Sequence, residues 1–514
     1  MFDELHGFTW IDISVLTIYM LIVLVTGIYF SKSKMQGKEF FKGDGSVPWF
    51  VTAVSMFATI ISPLSFLSLA GKSYEGTWLL WFAQMGTLIA IPLTIKFLLP
   101  VYAKLEIDTA YHYLEIRFKS PALRVLGALM FVIFQLGRMA IVMYLPCVAI
   151  GSLSGINVDV LIIAMGAVSI IYSYTGGLKA VLWTDFIQGI ILLGGIALTL
   201  VWIVYKLDGG VADMSHALVS EGRFLSDKDK LIDWSNLLGT SILVTFIGAG
   251  LTTFCTYISS QDIVQRFTTT NSVNKLTKMT ITNGLLSILC ASLFYMIGTA
   301  LYLYYQQNPE AITDVFRSSQ DKVVIYFITY ELPVGITGII LAALYAASQS
   351  TISTGINSIA TSWVMDVQTK ITPNMSYERQ TKIAKYISLA IGVFAVVVAM
   401  YLARIDIKSA YELFKAFLGQ ALGALAGVFI LGAITRKTTA LGAFSAFFVA
   451  TAVILYLNFN VRSISFWTYS FIAIVLTITV GVLVSKVQSM VSGKTFTAPH
   501  GSTIYTARKS VANS

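Results

Sequence analysis

The chain has 514 residues, 56% of them hydrophobic and only 12% charged, with a mean hydropathy of +0.76. Soluble domains carry roughly twice that share of charge, so a water-soluble globular chain is excluded and an all-α polytopic membrane protein is expected. The net charge of +9 would suggest nucleic acid in a soluble chain; here it reads as a membrane-orientation signal, and no nucleic-acid partner is expected.

The first apolar run, about 10–30, follows Met1-Phe2-Asp3-Glu4-Leu5-His6. That start has no positive n-region and the run is of spanning length, so an uncleaved span is expected rather than a signal peptide. Thirteen spans are predicted, at roughly 10–30, 47–70, 76–103, 122–151, 158–174, 181–205, 240–258, 280–305, 332–358, 383–403, 411–434, 439–457 and 464–485. With the N-terminus outside, about 22 of the 35 Lys and Arg fall in cytoplasmic segments and about 10 outside. The positive-inside rule then predicts N-out and C-in, in a cell membrane. Two longer outer segments are expected. Residues 206–238 are polar and of mixed charge; residues 307–331 end in an amphipathic stretch, 323–327, suited to capping a vestibule. The tail after Lys486 is expected to be unpacked. Cys147, Cys255 and Cys290 lie in apolar runs without metal or disulfide spacing and are read as small core residues.

The second span is predicted to break. Thr59-Ile60-Ile61-Ser62-Pro63-Leu64-Ser65 sits in its middle. A proline there removes a helical hydrogen bond, and freed carbonyls are tolerated in lipid only where they face protein, water or an ion. The seventh span carries Gly248-Ala249-Gly250, a candidate for a second break, although small residues in membranes more often mark close packing. Breaks in spans two and seven lie five spans apart, which suits inverted repeats. The expected organisation is an N-terminal span and loop (1–45), a first five-helix repeat (46–205), an outer loop (206–239), a second repeat (240–435), two further spans (436–486) and a tail (487–514).

Three sets of residues are candidates for chemistry. Arg138 lies within the fourth span, where a charge must face a cavity or a partner. No acid is obviously placed at its depth, which favours an anionic ligand over an internal salt bridge. Asp185, a turn or two beyond Gly176-Gly177, is either a solvated charge at a helix N-terminus or a ligand for a hard cation. In the ninth span Ser350, Ser353, Thr354 and Asn357 share one helical face, with Thr351 on its border. With bent-helix carbonyls near Ala58 and Ile61 they form a candidate all-oxygen site suited to Na⁺. An enzyme is not expected: no nucleophile–base pair suggests itself, and His6, His112, His216 and His500 lie outside the predicted spans.

Residues 173–185, with Gln188-Gly189, resemble the signature of the sodium:solute symporter family. The likeness extends through Ser260-Gln261-Asp262-Ile263-Val264-Gln265-Arg266 and 347–353. It implies a LeuT-type 5+5 inverted-repeat fold with one extra N-terminal and two extra C-terminal helices. Within the family the chain is most similar to bacterial Na⁺/sialic acid symporters. That likeness implies Na⁺-coupled import of N-acetylneuraminate; a monomer is expected. Arg138 would bind the carboxylate, and Ser62, Ser65 and Gln84 would contact the sugar, with Ile60 and Leu80 at substrate-facing positions. The first Na⁺ site would be Ala58, Ile61, Ala347, Ser350 and Thr351. The second would be Asp185, Ser350, Ser353 and Thr354. Ile60, Pro63 and Leu80 stand where the branch can have Thr, Ser and Phe, and Ser65 stands for Thr. The alternatives are another carboxylate, a neutral sugar or an amino acid such as proline.

Overall fold

The protein is seen in a computed structural model that describes residues 9–31, 38–105, 107–311, 321–405, 423–461 and 463–511. Helices make up the regular structure of these residues, and no strand occurs among them. Among the described residues ten helices are long and apolar enough to cross a membrane, or eleven when the bent pair Trp49–Ile60 and Pro63–Glu75 is taken as one span. The chain is therefore a multi-pass membrane protein. The fifth and sixth predicted spans lie in one stretch, Val158–Lys206, of 49 residues. At about 1.5 Å per residue that is more than twice the ~30 Å of a bilayer core. It is interrupted at Gly177 (φ 55°, ψ −157°), a conformation open to glycine. A Cβ there would stand 2.7 Å from the Phe40 carbonyl oxygen. The first half of the eleventh predicted span lies outside the described residues; its described half is the apolar helix Gly423–Ile434.

The second span breaks where its sequence predicts. Its halves are bent by 62°. Ile61 (φ −76°, ψ 119°) and Ser62 (φ −108°, ψ 162°) are extended. Pro63 does not kink a continuous helix. It is the first residue of the second half, where a missing N–H has no intrahelical partner to lose.

The break in the seventh span is not at Gly248-Ala249-Gly250, as the glycines suggest. Helix runs through them from Ile242 to Ser259 and stops at Ser260 (φ −89°, ψ 117°), before the short helix Gln261–Phe267. The glycines serve close packing instead. A Cβ on Gly250 would lie 2.7 Å from the Gly86 carbonyl oxygen, and one on Gly248 would lie 2.3 Å from that of Trp467. Two helices approach there backbone to backbone.

The tail is also unlike its expectation. Ser502, Thr503, Ile504 and Ala507 are buried. The Tyr113 hydroxyl donates to the Ser502 carbonyl at 3.1 Å, and the Ala498 N–H donates to the Arg436 carbonyl at 2.9 Å. Low hydropathy made this segment look solvated; a few backbone and aromatic contacts dock it. Of the two longer segments predicted to lie outside, 323–327 forms part of helix Asp321–Tyr330, and Val323, Val324, Ile325 and Phe327 are buried. The three cysteines are free and buried, as expected of core residues.

Candidate functional site

The two breaks and the ninth span meet in the protein interior. The ninth span, Ile336–Ser362, is buried from Ile340 to its end. Its hydroxyls reach the carbonyls that the first break releases. The Ser350 hydroxyl lies 2.8 Å from the Ala58 carbonyl oxygen and 3.2 Å from that of Ala347. The Thr351 hydroxyl lies 3.1 Å from the Ala347 oxygen and 3.4 Å from that of Thr59. Ala58, Ala347, Ser350 and Thr351, four of the five residues expected at the first Na⁺ site, thus share one cluster of neutral oxygens. Ile61 stands at the break itself, its N–H donating to the Phe57 carbonyl at 3.1 Å. Such a donor set fits a hard cation of low charge.

Arg138 is buried in the helix Pro121–Ser154 and does have an acid beside it. Its Nη1 donates to Asp262 Oδ2 at 2.8 Å, and its Nη2 to the Thr59 carbonyl at 2.7 Å. The expectation that no acid shares its depth is therefore wrong. Asp262 sits just after the second break, at the N-terminal end of Gln261–Phe267, and also accepts from the Ser260 hydroxyl and the Ile263 N–H. A carboxylate is favoured at that helix end, and a cation at the C-terminal end of Trp49–Ile60. Both broken helices thus orient the pair. Arg138 Nε has no hydrogen-bond partner among the described residues, so one edge of the fork is uncommitted.

Asp185 is neither solvated nor at a helix end. It is fully buried within Val158–Lys206. Its Oδ2 accepts from Arg266 Nη2 at 2.7 Å, from Ser55 at 2.7 Å and from Thr354 at 3.1 Å, while Ser353 approaches Oδ1 at 3.4 Å. Asp185, Ser353 and Thr354, expected at the second Na⁺ site, do come together. A guanidinium accompanies them. Arg266 Nη2 also lies 2.7 Å from Thr59 Oγ1 and 2.8 Å from Thr354 Oγ1. The two pairs, Arg138–Asp262 and Arg266–Asp185, leave this interior charge-neutral.

Ser62 is buried, with its hydroxyl 3.5 Å from that of Ser65; Ile60, Ser65, Leu80 and Gln84 are half-buried. Gln84 lies on the short helix Trp81–Met85. Gln135, one turn before Arg138, is fully buried, and neither end of its amide has a partner among the described residues. Buried amides in that condition call for a ligand or water. Thr59, Gln135, Asp262 and Arg266 were not singled out from sequence as site residues. The signal for two of them was present: an Asp–Arg pair at i, i+4 inside an apolar region is expensive unless each charge has a further partner.

The family profile for the sodium:solute symporter family matches residues 40–450. The chain is 33% identical to the sodium/sialic acid symporter SiaT of Proteus mirabilis, over 91% of this chain and 93% of that one. It is 29% identical to the sodium/sialic acid symporter NanT of Aliivibrio fischeri, over 93% and 94%. A solved structure of a Na⁺-coupled sialic acid symporter, substrate-bound and outward-open, superposes with a TM-score of 0.86 at 31% identity, covering 93% of this chain and 98% of that one. The nucleobase-cation transporter Mhp1 shares the fold at a TM-score of 0.54 and 16% identity.

Proposed function

The chain belongs to the sodium:solute symporter family, and we propose that it imports N-acetylneuraminate together with Na⁺ by alternating access. One observation carries the substrate: the 33% identity to a sialic acid symporter over 91% of the chain, in a protein that keeps a guanidinium, Arg138, against the broken span.

In this reading the substrate carboxylate binds Arg138 through the uncommitted Nε edge and by competing with Asp262 for Nη1. Ser62, Ser65 and Gln84 take polar groups of the sugar. Na⁺ at the first site draws the Ala58 and Ile61 carbonyls towards Ala347, Ser350 and Thr351, taking over contacts that hydroxyl–carbonyl hydrogen bonds now make. It thereby steadies the broken span in the shape that binds substrate, and the coupling is reciprocal. At the second site Na⁺ would bind Asp185, Ser353 and Thr354, competing with Arg266 for Asp185 and Thr354. The five-helix units 46–205 and 240–435 rock against each other. The termini lie N-outside and C-inside, supported by the distribution of Lys and Arg.

The ion count sets the accumulation. A tenfold Na⁺ gradient is worth about 1.4 kcal/mol per ion, and 100 mV about 2.3 kcal/mol per net charge. One Na⁺ per monoanion is electroneutral and gives about tenfold accumulation; two give roughly 5 kcal/mol, or a few thousandfold. Ile60 and Leu80 favour a second reading, a carboxylate with fewer hydroxyls. Uptake of labelled N-acetylneuraminate into proteoliposomes is the test, with an inward Na⁺ gradient and with K⁺ in its place. Uptake only with Na⁺ is expected. Vesicles that accumulate another carboxylate but not N-acetylneuraminate would overturn the substrate and leave the fold standing.

A further inference from the structure

A cavity of about 600 Å³, lined by none of the transport-site residues, opens between the end of Gly423–Ile434 and the last helix turns of Tyr469–Ser492. Three cations line it, Arg436, Lys437 and Lys486, with the hydroxyls of Thr435 and Thr438 and the ring of Phe496. Among the described residues no carboxylate lines it. Among the described residues none of the three has an acidic partner.

A fourth cation stands behind the wall. Arg117 is fully buried. Its Nη2 donates to the Thr435 carbonyl at 2.6 Å and to Thr438 Oγ1 at 3.0 Å, and its Nε to the Gly432 carbonyl at 2.7 Å. It too has no carboxylate partner among the described residues, and its Nη1 has no hydrogen-bond partner there. A buried charge without a counter-ion is costly. An anion in the adjoining cavity would offset it. The surroundings say which kind. Leu483, Val487, Met490 and Val491 are exposed on the same final turns. They offer an apolar strip beside a basic pocket at the end of a membrane span, where anionic lipid headgroups bind.

We infer that this cavity binds the phosphate of an anionic glycerophospholipid, with its acyl chains along the exposed face of the last span. The site goes beyond the transport reading and does not depend on which solute is carried. The docked tail forms one wall, through Phe496, whose ring lies 5.8 Å from the Arg117 guanidinium. Bound lipid would therefore also hold the tail in place.

Native mass spectrometry of the full chain, purified in detergent and titrated with phosphatidylglycerol or phosphatidylcholine, tests this. Phosphatidylglycerol is expected to be retained preferentially. Each cation removed should weaken retention about fivefold, so Arg436→Gln/Lys437→Gln/Lys486→Gln should lose about a hundredfold. Should that variant fail to run as a monodisperse species, Lys437→Gln/Lys486→Gln, which keeps the Arg436 guanidinium over the Tyr505 ring of the tail at 5.0 Å, is compared with Lys437→Arg/Lys486→Arg. The first should lose about twenty-five-fold and the second nothing. Equal retention of phosphatidylcholine, or undiminished phosphatidylglycerol retention in the Gln variants, would overturn the site. Displacement of the lipid by millimolar inorganic phosphate would overturn the lipid in favour of a soluble anion. No transported solute is needed, so failure here and failure of the sialic acid assignment are separable.

Discussion

Asp262→Asn separates a static salt bridge from a competition. In the structure Arg138 Nη1 is held by Asp262 Oδ2 at 2.8 Å, in a pair whose acid is fully buried. A substrate carboxylate that takes the same fork must displace that contact. Hydrogen bonds to charged groups are worth about 1.5–3 kcal/mol, a pair with both partners charged lying at the upper end and guanidinium to a neutral amide at the lower. Asparagine still accepts from Arg138, so the contact weakens by about 1–1.5 kcal/mol. That energy returns to the substrate, and the Kd for N-acetylneuraminate should fall by about 5–15-fold. The substrate-free protein should become less stable, because its buried guanidinium has lost its counter-ion. Substrate should then raise the thermal midpoint more in the variant than in the parent. Isothermal titration at saturating Na⁺, with melting curves on the same samples, reads both. A variant that elutes normally but binds substrate equally or more weakly would refute the competition and leave Arg138–Asp262 as scaffold.

Arg138→Lys keeps the charge and loses the fork, so one charge-assisted bond goes and substrate affinity should drop about 10–150-fold; unaltered affinity in binding assays counts against the carboxylate clamp. Asp185→Asn should lower accumulation and its voltage dependence while sparing some Na⁺-dependent binding; proteoliposome flux at set potentials reads this, and unchanged flux removes Asp185 from the coupling. Ile60→Thr adds a hydroxyl at the break and should improve N-acetylneuraminate affinity a few-fold, by about one net hydrogen bond; weaker binding in a competition assay would place Ile60 against an apolar substrate group. Burial, then the nearby Arg124, pulls His112 from its usual 6.5 to about 4. Between those values the unfolded chain binds the extra proton, so this contribution lowers stability as pH falls from 6.5 towards 4. His112→Gln should flatten that part of the melting profile, and a profile unchanged by the substitution would contradict the assignment.

The first break was legible because Pro63 between hydroxyl residues leaves few other options at mid-membrane. The second was not. Gly248 and Gly250 advertise flexibility, yet each is needed where a neighbouring backbone comes too close for a Cβ. Ser260, where the helix ends, carries no breaker chemistry; Asp262 at the next helix start is the better sign. The hydroxyl face of the ninth span was read from periodicity alone and lies against Ala58 and Thr59. Arg138 was found as a buried charge but not its partner, since 124 residues separate it from Asp262 and only the fold brings them together. Arg266 stayed out of view for the same reason, and the docked tail because its contacts run through backbone atoms and single rings.

Thr59 touches both arginines, its carbonyl receiving Arg138 at 2.7 Å and its hydroxyl receiving Arg266 at 2.7 Å. It also lies between Ala58 and Ile60 on the last helical turn before the break. A sub-ångström pull on that turn by an ion at the neighbouring carbonyls would reach the two charges at once, one facing the proposed carboxylate and the other facing Asp185. Solute and ions would then need no contact with one another to sense each other's arrival. Each would register in the position of a single threonine, much as two people holding one rope know when the other moves.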